Sequence, residues 1–403
     1  MERLGIERYV DVVGEKVVAE IFAAARPLYG LRVLEINSTF HGGGVAGMLH
    51  SLIPLLNDVG IDANWALLYG EPGLFHITKK IHNALQGEPL DLSDEEIASY
   101  LRVNETFALY SPVYPHDLIV VHDPQPLPMI RYAARRIPWI WRCHIDLSSP
   151  YPPVWDLLRP FILRYDAVIV SSEAFAKPGL PTEIAVIPPA IDPFSPTNRE
   201  LSPEEVEKKL EAHGISLEKP LLVQVSRFDK WKDPLGVLKV YELVKQKIDC
   251  QLVLIGSMAL DDPEGPVIFE QVQAQAARLP DIQLITISDP ILVNALQRAA
   301  AVVFQLSRRE GFGLTVSEAL WKGTPVVATN VGGITKQVIH GVTGFLVEPG
   351  DYQAAAEATM QLLQDQELRL RLGTQGKEHV RQNFLITRLL LDRLRLFRKI
   401  LGK

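Results

Sequence analysis

IPPAIDPFSPTNRELS, residues 187–202, carries four prolines together with Ser, Thr and Asn. Proline fixes φ and removes a backbone donor, so this stretch reads as an ordered linker and not as a helix. The same pattern runs on both sides of it. Before it, short apolar runs at Leu31–Ile36, Asn64–Leu68, Leu118–Val121, Trp139–Cys143 and Ala167–Val170 alternate with helical stretches such as Val45–Val59 and Pro126–Arg136. After it come Leu221–Val225, Gln251–Ile255, Ile282–Ile287, Val302–Gln305 and Pro325–Ala328, again separated by helical patterns. Near-continuous apolar strands spaced by helices indicate parallel sheets covered on both faces. The expected fold class is therefore α/β, with two Rossmann-like, doubly wound domains facing each other across a cleft. The boundaries expected are 1–190 and 191–384. Beyond Gly350 the chain reads as helical and charge-rich, with no strand.

Composition narrows the function. The chain has 403 residues, 48 acidic against 41 basic, and a formal net charge of −7. Such a balance offers no bulk attraction to nucleic acid or anionic lipid. No apolar run approaches the ~18–20 residues that span a bilayer, and the opening MERLGIERYV lacks the apolar core of a signal peptide. Cys143 and Cys250 are too few for a disulfide framework or a cysteine-rich metal site. A cytoplasmic enzyme or binding protein for small molecules is expected, with neither nucleic acid nor membrane as a partner.

In open parallel sheets ligands gather at the carboxyl ends of strands, and four segments sit there. RREGFGLTVSEA, residues 308–319, follows one strand candidate and opens a helix near Leu314. Gly311 and Gly313 let backbone approach a ligand, and the helix start offers free N–H groups to an anion. Glu310 and Glu318 lie eight residues apart across that turn, placed for sugar hydroxyls and a ribose diol; the bland alternative is a tight turn with a helix-stabilising Glu. VSRFDKWKDP, residues 225–234, puts Arg227 and Lys232 where they would neutralise a pyrophosphate leaving group. There Lys230 reads as solvated charge, and Asp229 or Asp233 as a helix cap. NSTFHGGGVA, residues 37–46, has three successive glycines able to curl around an anion or admit a sugar; it does not match the dinucleotide fingerprint. HDPQP, residues 122–126, and WRCHIDLS, residues 141–148, bring His122, Asp123, His144 and Asp146 to strand ends. With Asn37 they are candidates for sugar hydroxyls, His144 first among the histidines. No clustered Cys/His spacing supports a metal, and the chain has no Asp-x-Asp, P-loop or nucleophile elbow. Diphosphate charge would fall to Arg227, Lys232 and helix-end amides.

Together, the Gly-rich loop, S-R-F-x-x-W-K and E-G-F-G-L-T-V-S-E resemble the retaining glycosyltransferases of the glycogen-synthase/sucrose-synthase superfamily, which have the GT-B fold. With DDPEG added, the extended strings resemble the trehalose glycosyltransferring synthases, over nearly the whole chain. The resemblance implies transfer of glucose from an NDP-glucose to free glucose, giving α,α-trehalose and NDP with retention. It implies an acceptor domain at 1–190, a donor domain at 191–384, and a last helix, about 385–403, packing back on the first. Arg227 and Lys232 would hold the diphosphate. Glu310 would contact the transferred glucose, aided by the amides of Gly311, Phe312, Gly313, Leu314 and Thr315, while Glu318 would bind ribose. His144 would lie near the donor 6-hydroxyl, and Gly43 and Gly44 would close over the phosphate–acceptor junction. No cofactor is required, Mg²⁺ serving at most as a diphosphate counterion, and a homodimer is compatible. The wider family commonly has Gly where Asp233 follows Lys232. Rival readings are another acceptor (a sugar phosphate, for which Arg142 is available, a glucan or a lipid), an NDP-sugar epimerase, and a non-catalytic sensor.

Overall fold

Among the described residues, twelve short strands build two separate, wholly parallel sheets. This computed structural model describes residues 5–403, apart from 41–42, 71, 112, 114, 134–135, 178, 181 and 257–263. His41, Gly42 and most of the DDPEG string therefore lie outside the described residues. The chain divides into one unit of residues 1–190 and 386–403 and a second of 191–385.

In the first unit, β1 (Arg32–Asn37), β2 (Asp62–Leu67), β3 (Leu118–His122), β4 (Trp139–Arg142), β5 (Ala167–Val170) and β6 (Glu183–Val186) run in the order β2-β1-β3-β4-β5-β6. Residues of β3, β4 and β5 are buried throughout, as expected of strands covered on both faces. Trp139, Trp141, Ile119 and Val121 anchor that core. The helix Ile386–Leu401 belongs to this unit, packing on helices Glu15–Ala25 and Gly43–Asp58. Its apolar stripe of Leu390, Leu394 and Phe397 is fully buried, each such side chain contributing roughly 1.5–3 kcal/mol.

The second sheet holds β7 (Leu221–Val225), β8 (Gln251–Ile255), β9 (Ile282–Ile285), β10 (Val302–Gln305), β11 (Val326–Thr329) and β12 (Gly344–Val347), in the order β12-β11-β10-β7-β8-β9. Its core centres on Leu222, Leu252, Leu254 and Phe304. Each sheet reverses its strand order once, between β1 and β3 and between β7 and β10. Within each sheet, the reversal falls at the carboxyl ends of the central strands, the place where open α/β sheets bind ligands.

Three local expectations differ from the structure. β6 and β12 are additional strands; both are four-residue edge strands, EIAV and GFLV, too short to show a period. Among the described residues of the Pro126–Arg136 segment only a 3₁₀ turn forms, at Leu127–Arg131; each proline in the run Pro124, Pro126, Pro128 disfavours the α conformation at the residue before it. Among the described residues no helix is long and apolar enough to cross a membrane.

Candidate functional site

The second unit's switch point brings the VSRFDKWKDP and RREGFGLTVSEA segments together. The loop after β7 is shaped by Asp229, whose carboxylate accepts the Trp231 N–H at 2.7 Å. Gln224 of β7 donates to the Lys232 carbonyl at 2.9 Å. The Arg308 N–H donates to the Trp231 carbonyl at 2.7 Å, tying the two loops to each other. Lys232 then reaches Glu310 and forms an ion pair. The same oxygen of Glu310, Oε2, accepts from Gln305 at 2.9 Å and from Ser307 at 3.1 Å. Gln305 in turn accepts from the Thr315 hydroxyl at 3.0 Å. One cation and two neutral donors converge on one buried carboxylate.

The GFG turn has its own supports. Gly313, at φ 79°, stands immediately before the helix Leu314–Trp321, in a conformation that favours glycine. A Cβ there would lie 3.2 Å from Glu310 Cγ. Gln337 donates to the Phe312 carbonyl and accepts from Ser317 at 2.5 Å. Phe312 is buried edge-on to Phe384. Glu318 lies on the same helix, its carboxyl raised by burial and partly restored by Lys322 and Gln297. Lys322 is lowered, first by burial, with Glu318 opposing, and its ammonium donates to Asn198, Gln297 and the Glu318 carbonyl.

Asp233 does not cap the next helix. It adopts φ 47°, ψ 52°, so the left-handed position commonly filled by glycine in the wider family is kept by an Asp, one of the few side chains that tolerate it. Its carboxylate accepts from Tyr352 at 2.8 Å and faces Arg308 at 3.5 Å. Arg227 is about one-third exposed, 3.8 Å from Asp229. Lys230 is not simply solvated: it faces Glu264 at 3.4 Å and lies over the Trp231 ring.

The first unit's switch point holds a buried chain of polar groups. Arg393, from the last helix, donates to Glu35 Oε1 on β1. Glu35 Oε2 is 2.6 Å from His122 Nε2 at the end of β3. His122 Nδ1 is 3.0 Å from His144 Nε2, and the two rings stack with an interplanar angle of 11°. Burial would push the Glu35 carboxyl up, but Arg393 and His122 outweigh it and hold it below its ordinary value. Burial lowers His122, partly offset by Glu35. His144 lies well below its usual range through burial, with Arg142 and His122 adding to the shift.

Other candidates in this unit organise backbone. Asp123, at φ 62°, accepts the His144 N–H at 2.7 Å; burial raises its carboxyl to about 7. Asp146 accepts from the Ser148 N–H at 2.9 Å. Asn37 accepts from the Trp65 indole at 2.7 Å and donates to the Thr39 carbonyl at 2.8 Å, fixing the start of the Gly-rich loop. Gly43, at φ 74°, and Gly44 begin the helix that follows. Arg142, suggested above as a reserve for a phosphorylated acceptor, is a correction: it is 1% exposed and donates to the Ile187 carbonyl, so its guanidinium is part of the core. Glu35, Gln305, Ser307 and Arg393 escaped the sequence reading. For Glu35 and Gln305 the available signal was a polar residue inside an apolar strand, since a buried polar group must find a partner; Ser307 and Arg393 lie outside the strands and carried no such signal. No group of three or more His, Cys, Asp or Glu able to hold a metal occurs among the described residues.

Two family models match the chain: the trehalose synthase N-terminal domain over residues 35–177 and glycosyl transferases group 1 over 205–379. A UDP-forming α,α-trehalose-phosphate synthase from Burkholderia vietnamiensis superposes with a TM-score of 0.75 at 17% identity, covering 93% of this chain and 99% of its own, a likeness of fold. The two parallel sheets and these matches define a glycosyltransferase of the GT-B class. Trehalose synthase from Pyrococcus horikoshii is 44% identical over 95% of this chain and 93% of its own length. That from Rubrobacter xylanophilus is 45% identical over 98% and 96%. The chain belongs to the trehalose synthase family, glycosyltransferases of trehalose metabolism.

Proposed function

We propose that this protein transfers glucose from an NDP-glucose to free glucose, with retention, forming α,α-trehalose and NDP in the cytoplasm. The observation that carries the reading is the Lys232–Glu310 pair at the β7/β10 switch point, backed by Gln305 and Ser307. Without substrate the ammonium and carboxylate satisfy each other. With donor bound, the ammonium and Arg227 meet the diphosphate, Glu310 turns to sugar hydroxyls, and the amides of residues 311–315 share the phosphate charge. Glu318 takes the ribose hydroxyls.

In the transfer itself, the bond from the anomeric carbon to the diphosphate oxygen breaks and a bond to the acceptor hydroxyl oxygen forms on the same face. The departing diphosphate oxygen takes the hydroxyl proton. The protein's work is to stabilise the charge that develops on the leaving group. Glu310 is read as a contact to sugar hydroxyls and not as the nucleophile of a double displacement. Mg²⁺ is not required, since fixed cations and amides meet the diphosphate. In the first unit, His144 contacts the donor 6-hydroxyl, and Gly43 and Gly44 approach the junction with the acceptor.

The test is to supply UDP-, ADP- and GDP-glucose with glucose or glucose 6-phosphate and identify the product by NMR. Free α,α-trehalose from glucose is expected. Trehalose phosphate alone, epimerised donor without acceptor, or glucose 1-phosphate released from trehalose and phosphate in place of transfer would overturn the reading.

A further inference from the structure

A guanidinium has donors only and a carboxylate acceptors only. That asymmetry fixes the polarity of the buried chain in the first unit. Arg393 donates to Glu35 Oε1, so the Glu35 charge is balanced before any histidine is considered. Glu35 Oε2 then accepts from His122 Nε2–H across 2.6 Å. A neutral His122 is left with a lone pair on Nδ1, and the atom facing it at 3.0 Å is His144 Nε2. Only Nε2–H on His144 completes that bond. A doubly protonated His122 would reverse the polarity, but it would place a third cation beside Arg142 and Arg393, in a site where burial already penalises charge.

We propose that Glu35 and His122 are positioning residues that hold His144 in its Nε2–H tautomer, so that Nδ1 is presented as a hydrogen-bond acceptor selecting a hydroxyl over an anion. The proposal rests on the reading of His144 as a sugar contact. His144 is partly exposed, and its Nδ1 has no protein partner among the described residues. Its backbone is pinned by Asp123 and its ring by the stack on His122, so neither the atom's place nor its proton is left free. A lone pair fixed at that place accepts from a sugar hydroxyl and repels a carboxylate or phosphate oxygen. The donor class is then a hexosyl nucleotide with a free hydroxyl at the contacted carbon, and the corresponding uronate is rejected. The C-terminal helix supplies, through Arg393, the countercharge that allows the buried Glu35 to stay ionised.

The experiment has a spectroscopic arm and a kinetic arm. Full-length protein carrying ¹⁵N-histidine is examined by NMR, with the His144 signals assigned by their loss in His144→Gln. Protonated Nε2 and unprotonated Nδ1 are expected; a proton on Nδ1 overturns the relay. In Glu35→Gln, Arg393 still requires the amide oxygen, so the amide NH₂ faces His122 and the chain inverts. His144 Nδ1 should then become protonated, with kcat/KM for NDP-glucose falling about tenfold to a hundredfold. The ratio of NDP-glucose to NDP-glucuronate turnover should fall with it, while a 6-deoxyglucose donor changes little. An unchanged His144 tautomer in this variant overturns the relay. An inverted tautomer with unchanged donor kinetics supports the relay and overturns the assignment of His144 as a sugar contact. Should Glu35→Gln fail to fold, the wild-type spectrum alone decides.

Discussion

The two switch points treat charge in opposite ways. In the first unit, Arg393, Glu35, His122 and His144 are joined end to end, with Glu35 and His122 wholly shielded. Their charges cancel internally, and what remains for a ligand is a neutral imidazole edge. In the second unit, Lys232 and Arg227 keep part of their surface, and their anionic partners are carboxylates that a donor can displace or share. A buried, internally paired network defines direction and shape at fixed geometry. A partly exposed pair keeps charge accessible to a ligand. Under the function proposed above, the first arrangement would suit a neutral sugar and the second a diphosphate.

The comparison is broken most severely by removing the second unit's cations. Lys232→Ala or Arg227→Ala should lower kcat by about 100- to 1,000-fold, the scale seen when one preorganised stabiliser of developing charge is lost. The KM for glucose should change much less. Near-normal turnover in steady-state assays would refute the assignment of these residues to the diphosphate.

Gly313→Ala probes the turn that holds Glu310. The added Cβ meets φ 79° and the Glu310 side chain at 3.2 Å. A stability loss of about 1–2 kcal/mol in urea unfolding is expected, with turnover down roughly tenfold as Glu310 shifts. If neither quantity moves, the turn is not what fixes Glu310.

Asp233 gives a smaller, signed effect. Asp233→Ala keeps the left-handed backbone and loses the Tyr352 bond, whereas Asp233→Gly loses the same bond and relieves the backbone. The Gly variant should therefore be about 1 kcal/mol more stable than the Ala variant. Equal urea midpoints would mean that the left-handed conformation is not maintained in solution.

The remaining effect concerns pH in the first unit. Asp123 is raised to about 7 by burial, the His144 N–H partly opposing, whereas in the unfolded chain it titrates near about 4. Between those values the native state keeps a proton that the unfolded state has released, so stability declines as pH rises through that window. Asp123→Asn removes this contribution, and its thermal midpoint should fall less than the wild type's between about pH 4.5 and 7. Parallel melting curves would show that Asp123 does not titrate as described.

The candidate residues were legible because they are local to strand ends. Arg227, Lys232, Glu310, Gly313 and His144 each lie within eight residues of the end of an apolar strand, where open α/β sheets bind ligands. The supporting residues were not. Glu35 and Gln305 are single polar letters inside strands, and their meaning depends on the neighbour strand's register. Arg393 is 358 positions from Glu35, in a charge-rich helix whose sequence shows an amphipathic surface and nothing of the one arginine that turns inward.

The sequence by itself determined two α/β series divided by a proline-rich linker, and the short strand-end segments from which the candidate site residues are drawn, because periodicity and strand-end position are local properties. Only the tertiary structure decided which groups share a proton or a charge: Lys232 with Glu310, Glu35 with Arg393, and His122 with His144. Those pairings depend on parallel strands and a returning C-terminal helix bringing distant residues within hydrogen-bond reach. Desolvation there favours each pairing, since a buried charge left without a partner costs a large share of a domain's marginal stability.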